Sequence, residues 1–368
     1  MMSAITESFV DEMVKRSIKF NSVPFDPPTL IESVRAFELL SKSQYKIIEG
    51  QATFIEDYGR YEKPTLGIAP FSQSGLKASG RFCFDERMKC AGYNMKSPVQ
   101  AWSSANDSES SERKRLEGCI KRLSKKQPLD HRIVKAATRL SGACYNAAQF
   151  KPVVALGLYR FLGAKRVLDP CAGWGDRLVA ACAADIEYVG YDPNKNLESC
   201  YDEIITRFAS NNQRVEIECF ENSPTWFEEF DLVFTSPPYF DTERYAVGST
   251  VEKDQSWYRY DDLGAWLDFF MLPLIEKSYS ALKDGGYFAL NIKDSVRRIE
   301  GGGKKKIRLP ICDSIFKFAS KVGFTYEGVI GMKMKSKPGN QDGKRPLGGD
   351  LLCEPIWVWR KEKRCKNE

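Results

Sequence analysis

Residues 231–239, DLVFTSPPY, place a small hydroxyl, two prolines and an aromatic ring directly behind a short apolar run. The run, residues 231–234, reads as a buried strand. Neither proline can continue it, because each fixes φ and lacks an N–H. The chain must therefore turn stiffly at the carboxyl end of a strand, the edge at which open α/β sheets bind their ligands. Ser236, the carbonyls of Pro237 and Pro238, and the ring of Tyr239 then form a rigid polar turn with an aromatic plate, suited to a flat substrate that carries an amine.

A second stretch, Val167-Leu168-Asp169-Pro170-Cys171-Ala172-Gly173-Trp174-Gly175-Asp176, reads as strand, glycine turn and helix. Gly173 and Gly175 allow the backbone to approach a ligand closely, and the helix start presents unpaired N–H groups. A dinucleotide fingerprint requires GxGxxG. Only GxG is present, which weakens a hydride-transfer reading and favours a smaller cofactor with acidic partners. Asp169 is expected to face the ammonium of a methionine-like moiety. Asp192, in Gly190-Tyr191-Asp192-Pro193 at the end of the next strand, is expected to accept hydrogen bonds from both ribose hydroxyls. Either aspartate alone could simply cap a helix; the pair, one strand apart, points to ligand binding.

The elements that must position these groups follow from periodicity. Strands are expected at 166–169, 188–192, 215–219, 231–235, 287–292, 324–332 and 355–360, with helices at 131–146, 152–162, 176–184, 196–209 and 311–322 between them. A long amphipathic helix over 261–282 is kinked at Pro273 and stopped by Asp284-Gly285-Gly286. Strands alternating with helices predict a mostly parallel sheet covered on both faces. Ahead of it, residues 1–130 read as an α+β region. It holds helices over 6–18 and 29–42, the second capped by Asp26, and a basic helix over 113–126. Short strands are possible near 53–56 and 81–84 of a segment with little periodicity. Phe25-Asp26-Pro27-Pro28-Thr29 resembles a second Pro-Pro turn but opens a helix, with no strand before it.

Composition narrows the chemistry. Eleven cysteines without a CxxC pair, and the single histidine His131, make a zinc site improbable and leave nucleophilic triads without a base. Scattered thiols indicate a reducing, intracellular compartment. The acidic N-terminus has no apolar core of a signal peptide, and no apolar run is long enough to span a membrane. A net charge of +6 permits a polyanionic partner without requiring one.

DPCAGWG followed by TSPPY resembles the S-adenosylmethionine-dependent methyltransferases that act on exocyclic amino groups of DNA bases, whose signature is [DNS]PP[YFW]. The resemblance spans residues 150–360. It implies a Rossmann-like class I methyltransferase fold with a mostly parallel seven-stranded sheet over 131–368, and leaves target recognition to residues 1–130. It implies S-adenosyl-L-methionine as cofactor, enclosed by Phe150 and Pro152, by the turn carrying Asp169, Cys171, Gly173 and Gly175, and by Asp192. Asn222 stands where the family usually has an acidic residue near the adenine. Ser236 and the Pro237 carbonyl would accept hydrogen bonds from the target amine, Pro238 would stiffen the turn, and Tyr239 would stack on a flipped base. Pro170-Cys171 also matches the dipeptide of cytosine-C5 enzymes, but it lies in the cofactor turn, so Cys171 is read as a packing residue. The serine variant leans towards cytosine N4 over adenine N6. Lys304, Lys305 and Lys306, and Lys335, Lys337 and Lys344, sit in two basic loops beyond the catalytic turn that could follow a phosphate backbone. DNA is the expected partner and no metal is expected. RNA, a glutamine side chain, or a non-catalytic nucleic-acid-binding role remain the alternatives. Tyr245, Trp257, Tyr258 and Tyr260 are equally suited to touching the displaced base or to packing on the long helix.

Overall fold

The computed structural model describes residues 2–54, 58, 61, 64–210, 212–298, 306–334 and 352–363. Among these residues nine strands share one sheet: β1 (Thr53–Phe54), β2 (Thr65–Ala69), β3 (Arg166–Asp169), β4 (Glu187–Tyr191), β5 (Gln213–Glu216), β6 (Phe230–Thr235), β7 (Leu282–Asn291), β8 (Phe324–Lys333) and β9 (Leu352–Lys361). Their spatial order is β2-β8-β9-β7-β6-β3-β4-β5, and β1 pairs with the start of β9. All neighbours are parallel except β9, which runs against both β7 and β8. The seven expected strands are present in the order of the Rossmann-like class I methyltransferase fold, and β1 and β2, from the chain ahead of it, extend the sheet.

The strands are apolar on both sides because helices cover both faces. Val167, Leu232, Phe234 and Ala289 face one core, shared with the helices Pro152–Phe161 and Asp176–Ala184. Leu168, Val233, Phe288 and Leu290, one residue out of step, face the other, shared with Leu272–Ala281 and Ile311–Val322. From β3 the chain winds outward through β4 to β5, then returns to β6 on the opposite side of β3. The crevice beyond the carboxyl ends of β3 and β6 is thus the switch point at which such sheets bind ligands, and both chemistry-bearing turns emerge there.

Several local expectations differ from what forms. Residues 81–84 form no strand: Arg81 and Phe82 end the helix Leu76–Phe82, Cys83 is a turn, and Phe84 opens the helix Phe84–Lys89. Their order comes from packing against the sheet domain, where Ala78, Ser79 and Gly80 are buried and the Ser79 hydroxyl donates to Asp176, a contact that periodicity does not carry. Thr29, not Asp26, caps the helix Leu30–Ser41. Thr29 and Glu32 form a reciprocal capping box, while Asp26 pairs with Arg16 at 2.8 Å. Pro273 perturbs the long helix through a π segment, Leu267–Met271. Lacking an N–H, Pro273 leaves the Phe269 carbonyl without its helical donor, and the Tyr260 hydroxyl donates to that carbonyl at 3.2 Å.

The N-terminal helices have their own core of Val10, Val14, Phe84, Trp102, Leu116 and Ile120, completed by Ile133, Val134 and Ala137 of His131–Leu140. Trp102 locks that helix in place by donating to Thr138 Oγ1 at 2.9 Å. A two-residue antiparallel pairing of Ala91–Gly92 with Glu243–Arg244 ties this region to the chain that follows the Pro-Pro turn. Among the described residues no helix is long and apolar enough to cross a membrane, and no disulfide joins two cysteines.

Candidate active site

The two turns meet directly: Cys171 N–H, just past β3, donates to Thr235 Oγ1, the last residue of β6, at 3.1 Å. In front of them opens a cavity of about 570 Å³, within the range of about 300–1,000 Å³ usual for small-molecule clefts. Phe150, Cys171, Gly173, Asp192 and all of Ser236–Tyr239 line it. Eight of the predicted site residues are thereby brought to one cavity.

At one end, Asp192 closes β4. Its carboxylate accepts the N–H of Gly173 at 3.0 Å and of Asn194 at 2.9 Å. Burial pushes its pKa up to about 6, against the pull of those two N–H groups. Gly173 adopts φ +59° and its carbonyl accepts from Tyr201, so the turn is fixed from both sides. Gly175 (φ +74°) lies off the cavity and serves packing instead, because a Cβ there would stand 2.8 Å from Ile204 Cδ1. Phe150 and Phe234 form a T-shaped pair with ring centroids 5.4 Å apart. Pro152 is buried one step behind the cavity as the first residue of its helix, with Lys151 between it and Phe150 at the wall.

Asp169 does not face the cavity. It is fully buried, and its carboxylate is used up inside the protein: Cys171 N–H at 3.2 Å, Tyr188 Oη–H at 2.6 Å and Arg177 Nε–H at 2.7 Å all donate to it. The expected ammonium contact is therefore replaced by a structural one, which holds the glycine turn through Arg177. Arg177 also donates to the Cys171 carbonyl. Asn222 is exposed and lies off the cavity. β5 ends at Glu216 rather than at Cys219, and a single 3₁₀ turn, Phe220–Asn222, swings Phe220 and Glu221 inward in its place. Glu221 pairs with Arg259 at 2.5 Å, and burial raises its pKa. Cys171 is half-buried at the wall. Desolvation, with Asp169 and Asp192 adding to it, pushes its thiol well above the ordinary range, which suits packing and not nucleophilic attack.

At the other end, the Ser236 hydroxyl donates to Asn291 Oδ1 at 3.2 Å, and Tyr239 Oη lies 3.4 Å from the same oxygen. Asn291, the last residue of β7, is oriented by donating its amide N–H to the Pro355 carbonyl at 2.9 Å. Tyr239 Oη donates to Glu354 Oε1 at 2.6 Å. Desolvation first, and then Glu354, keeps the phenol protonated far above its usual range. Across the cavity, Glu243 accepts from Tyr145 at 2.7 Å and from Tyr245, and desolvation raises its pKa. Asn291, Glu243 and Glu354 were not singled out from sequence. Asn291 carried one readable signal, a polar side chain at the end of an apolar strand. Of the four aromatics behind the turn, Tyr245 lines this cavity, Tyr260 braces the π segment, and Trp257 and Tyr258 face elsewhere. Lys304, Lys305, Lys335, Lys337 and Lys344 lie outside the described residues. Lys306 begins the strand Lys306–Leu309, paired antiparallel with Ser295–Arg298. No group of three or more His, Cys, Asp or Glu side chains that could hold a metal occurs among the described residues.

Both turns thus face one cavity at the switch point of a Rossmann-like class I methyltransferase fold. Residues 230–366, from β6 onward and including Ser236–Tyr239, match the N6_N4_Mtase family model, described as DNA methylase. This match supports methyl transfer as the reaction class. No curated protein matches the chain. Among solved structures, an S-adenosylmethionine-dependent O-methyltransferase from Thermotoga maritima is 15% identical, with 60% of this chain and 69% of that one covered and a TM-score of 0.37. A tRNA (m1A58) methyltransferase from Aquifex aeolicus is 12% identical, with 59% and 71% covered and a TM-score of 0.33.

Proposed function

We propose that this protein transfers a methyl group from S-adenosyl-L-methionine to the exocyclic amino group of a base flipped out of DNA, with cytosine N4 ahead of adenine N6. The observation that carries this reading is the commitment of the Ser236 proton. Because Oγ–H donates to Asn291, the lone pairs of Ser236 are left to accept from an amine in the cavity. The Pro237 carbonyl, in the same lining, is the second acceptor.

The cofactor end fits the proposed donor. Asp192, held at the end of β4, is the acceptor for ribose hydroxyls, the Gly173 turn admits the amino-acid portion, and Phe220 and Leu197 give apolar surface for an adenine. S-adenosylmethionine, when bound, supplies an electrophilic methyl group. The protein's residues do the rest. Ser236 and the Pro237 carbonyl hold the amine and draw its hydrogens away from the base plane, which leaves the nitrogen lone pair available. Tyr239, fixed by Glu354, offers its ring for stacking. The amino group of a paired base is engaged in the duplex, so the base must leave the stack to reach this turn. Rate comes from positioning in a fixed polar environment, without a covalent intermediate on the protein. The serine of the turn supports cytosine N4 through the family resemblance, while either amine can donate to a hydroxyl. Lys304, Lys305, Lys306, Lys335, Lys337 and Lys344 are assigned to the phosphate backbone in this reading, and residues 1–130 to target recognition.

Mass spectrometry of nucleosides released from DNA after incubation with protein and cofactor tests it. N4-methylcytosine is expected, and N6-methyladenine would move the assignment to the other base. Transfer only to RNA or to a glutamine-bearing protein would replace the substrate. Ser236→Ala and Tyr239→Ala should each lower turnover at least about 100-fold while calorimetric binding of S-adenosylmethionine stays within a few-fold of wild type. Full activity in both would remove the turn from the mechanism, and a wild-type protein that fails to bind the cofactor would make it a non-catalytic module.

A further inference from the structure

The strand that walls the target cavity also walls a second site. Glu243 and Arg244 pair with Gly92 and Ala91, and successive side chains of a strand point to opposite faces. Glu243 lines the cavity described above. Arg244 lines a separate open groove of about 440 Å³ with Lys96, Gln100, Trp257 and Tyr258. The partition is thin at Gly92, where even a Cβ would stand 2.5 Å from the Tyr145 ring, the ring whose hydroxyl holds Glu243.

The groove combines several rings with two cations, Arg244 and Lys96, of which Lys96 pairs with Glu112 at 3.2 Å. The Arg244 guanidinium lies over Tyr93 at 5.2 Å and over Trp257 at 5.3 Å from the ring centroids. Its Nε is buried without a hydrogen-bond partner, and its carboxylate neighbour Asp241 stands 3.8 Å from Nη2. Tyr258 is 56% exposed and meets Trp257 in a T-shaped contact with ring centroids 5.8 Å apart, so most of its ring surface is in solvent. The acidic lining residue, Glu252, has its carboxylate engaged by the Gly248 N–H at 2.9 Å. A cation held between rings, beside an exposed aromatic face, is the composition that binds unpaired nucleotides: the ring stacks on a base and the cation meets the phosphate.

We infer that this groove takes the nucleotide next to the target base on the same strand, with its base on Tyr258 and the intervening phosphate on Arg244. The inference rests on the nucleic-acid reading of the neighbouring cavity. Adjacent nucleotides share one phosphodiester, and the two sites are separated by one strand pair, so the linkage between them passes over Gly92 and Arg244. The groove would thus select what flanks the target, while the Ser236 turn receives the target itself.

Fluorescence anisotropy with short fluorescein-labelled single strands, one of DNA and one of RNA, tests this on the full-length protein over a series of salt concentrations. Tyr258→Ala should weaken binding by about 5- to 150-fold, the range of one lost base stack. Arg244→Gln should weaken it and lower the slope of log K against log salt by about 0.7, the value for one phosphate contact on a single strand. Both variants should bind S-adenosylmethionine like wild type in calorimetry. The larger loss, in the DNA or the RNA arm, identifies the strand the groove serves. Variants that keep wild-type affinity and salt slope overturn the groove while leaving the nucleic-acid reading intact, as does a parallel loss of cofactor binding, which would make Arg244 and Tyr258 structural. Wild-type protein that binds neither strand overturns the groove, and one that also fails to bind duplex DNA overturns the nucleic-acid reading with it.

Discussion

Ser236 has a single proton, and Asn291 receives it, so the character of the hydroxyl as an acceptor is set by an amide on another strand. Asn291→Ala should therefore lower kcat by about 100-fold, the scale of a misplaced reacting group, with KM for the cofactor unchanged. Turnover equal to wild type would show that Ser236 needs no such orientation. Asp169 makes the opposite case. Its buried pair with Arg177 has side chains 0% and 4% exposed, and removing one partner of such a pair costs about 3–5 kcal/mol. Asp169→Ala should show that loss in urea unfolding, whereas normal stability with lost cofactor affinity would return Asp169 to ligand binding. The contrast explains what was legible. Ser236 and Asp192 stand at strand ends, and the alternation of strands and helices is enough to place them at the cavity. Whether Asp169 points to a ligand or to Arg177 depends on Tyr188 and Arg177 arriving beside it, which is a tertiary event.

At the scale of elements, β9 decides how the substrate end is completed. Because it runs against its neighbours, its first residues, not its last, reach the ligand edge of the sheet, and Glu354 arrives beside Tyr239. The apolar run of β9 was readable from sequence, but its direction was not, so Glu354 had no signal of its own. β5 shows a similar limit. An end point that differs between Glu216 and Cys219 exchanges Asn222 for Glu221 at the cavity wall. Glu354→Ala should release the Tyr239 ring without touching the cofactor end. In steady-state methylation assays this should appear as a raised KM for the nucleic acid and a lower kcat, with S-adenosylmethionine affinity unchanged. Identical constants for Glu354→Ala and wild type would show that the ring is fixed by packing alone.

Across the whole molecule, the cavity gathers carboxyl groups that burial holds above their ordinary range: Asp176 up to about 7, Asp192 up to about 6, and Glu221 and Glu243 in the same direction. Asp176 sits where the N-terminal region meets the sheet, accepting from Ser79 and, at 3.2 Å, from Gln149. The sign of the consequence follows from proton counts. Between the ordinary value of 3.8 and about 7, the folded state keeps a proton on Asp176 that the unfolded chain has lost. Stability must fall as pH rises through that window, and the loss is complete above it. Asp176→Asn removes this dependence. By calorimetry its Tm should therefore gain on wild type from pH 4 to about pH 7 and level off above it, and a constant difference would show that Asp176 is ionised throughout. Cofactor affinity should move the other way. Asp192 accepts ribose hydroxyls best as a carboxylate, so binding of S-adenosylmethionine should strengthen through a midpoint near pH 6, and Asp192→Asn should flatten that rise. The same ionisations that loosen the empty fold would then tighten its hold on the methyl donor, and titration calorimetry beside thermal unfolding at each pH separates the two effects.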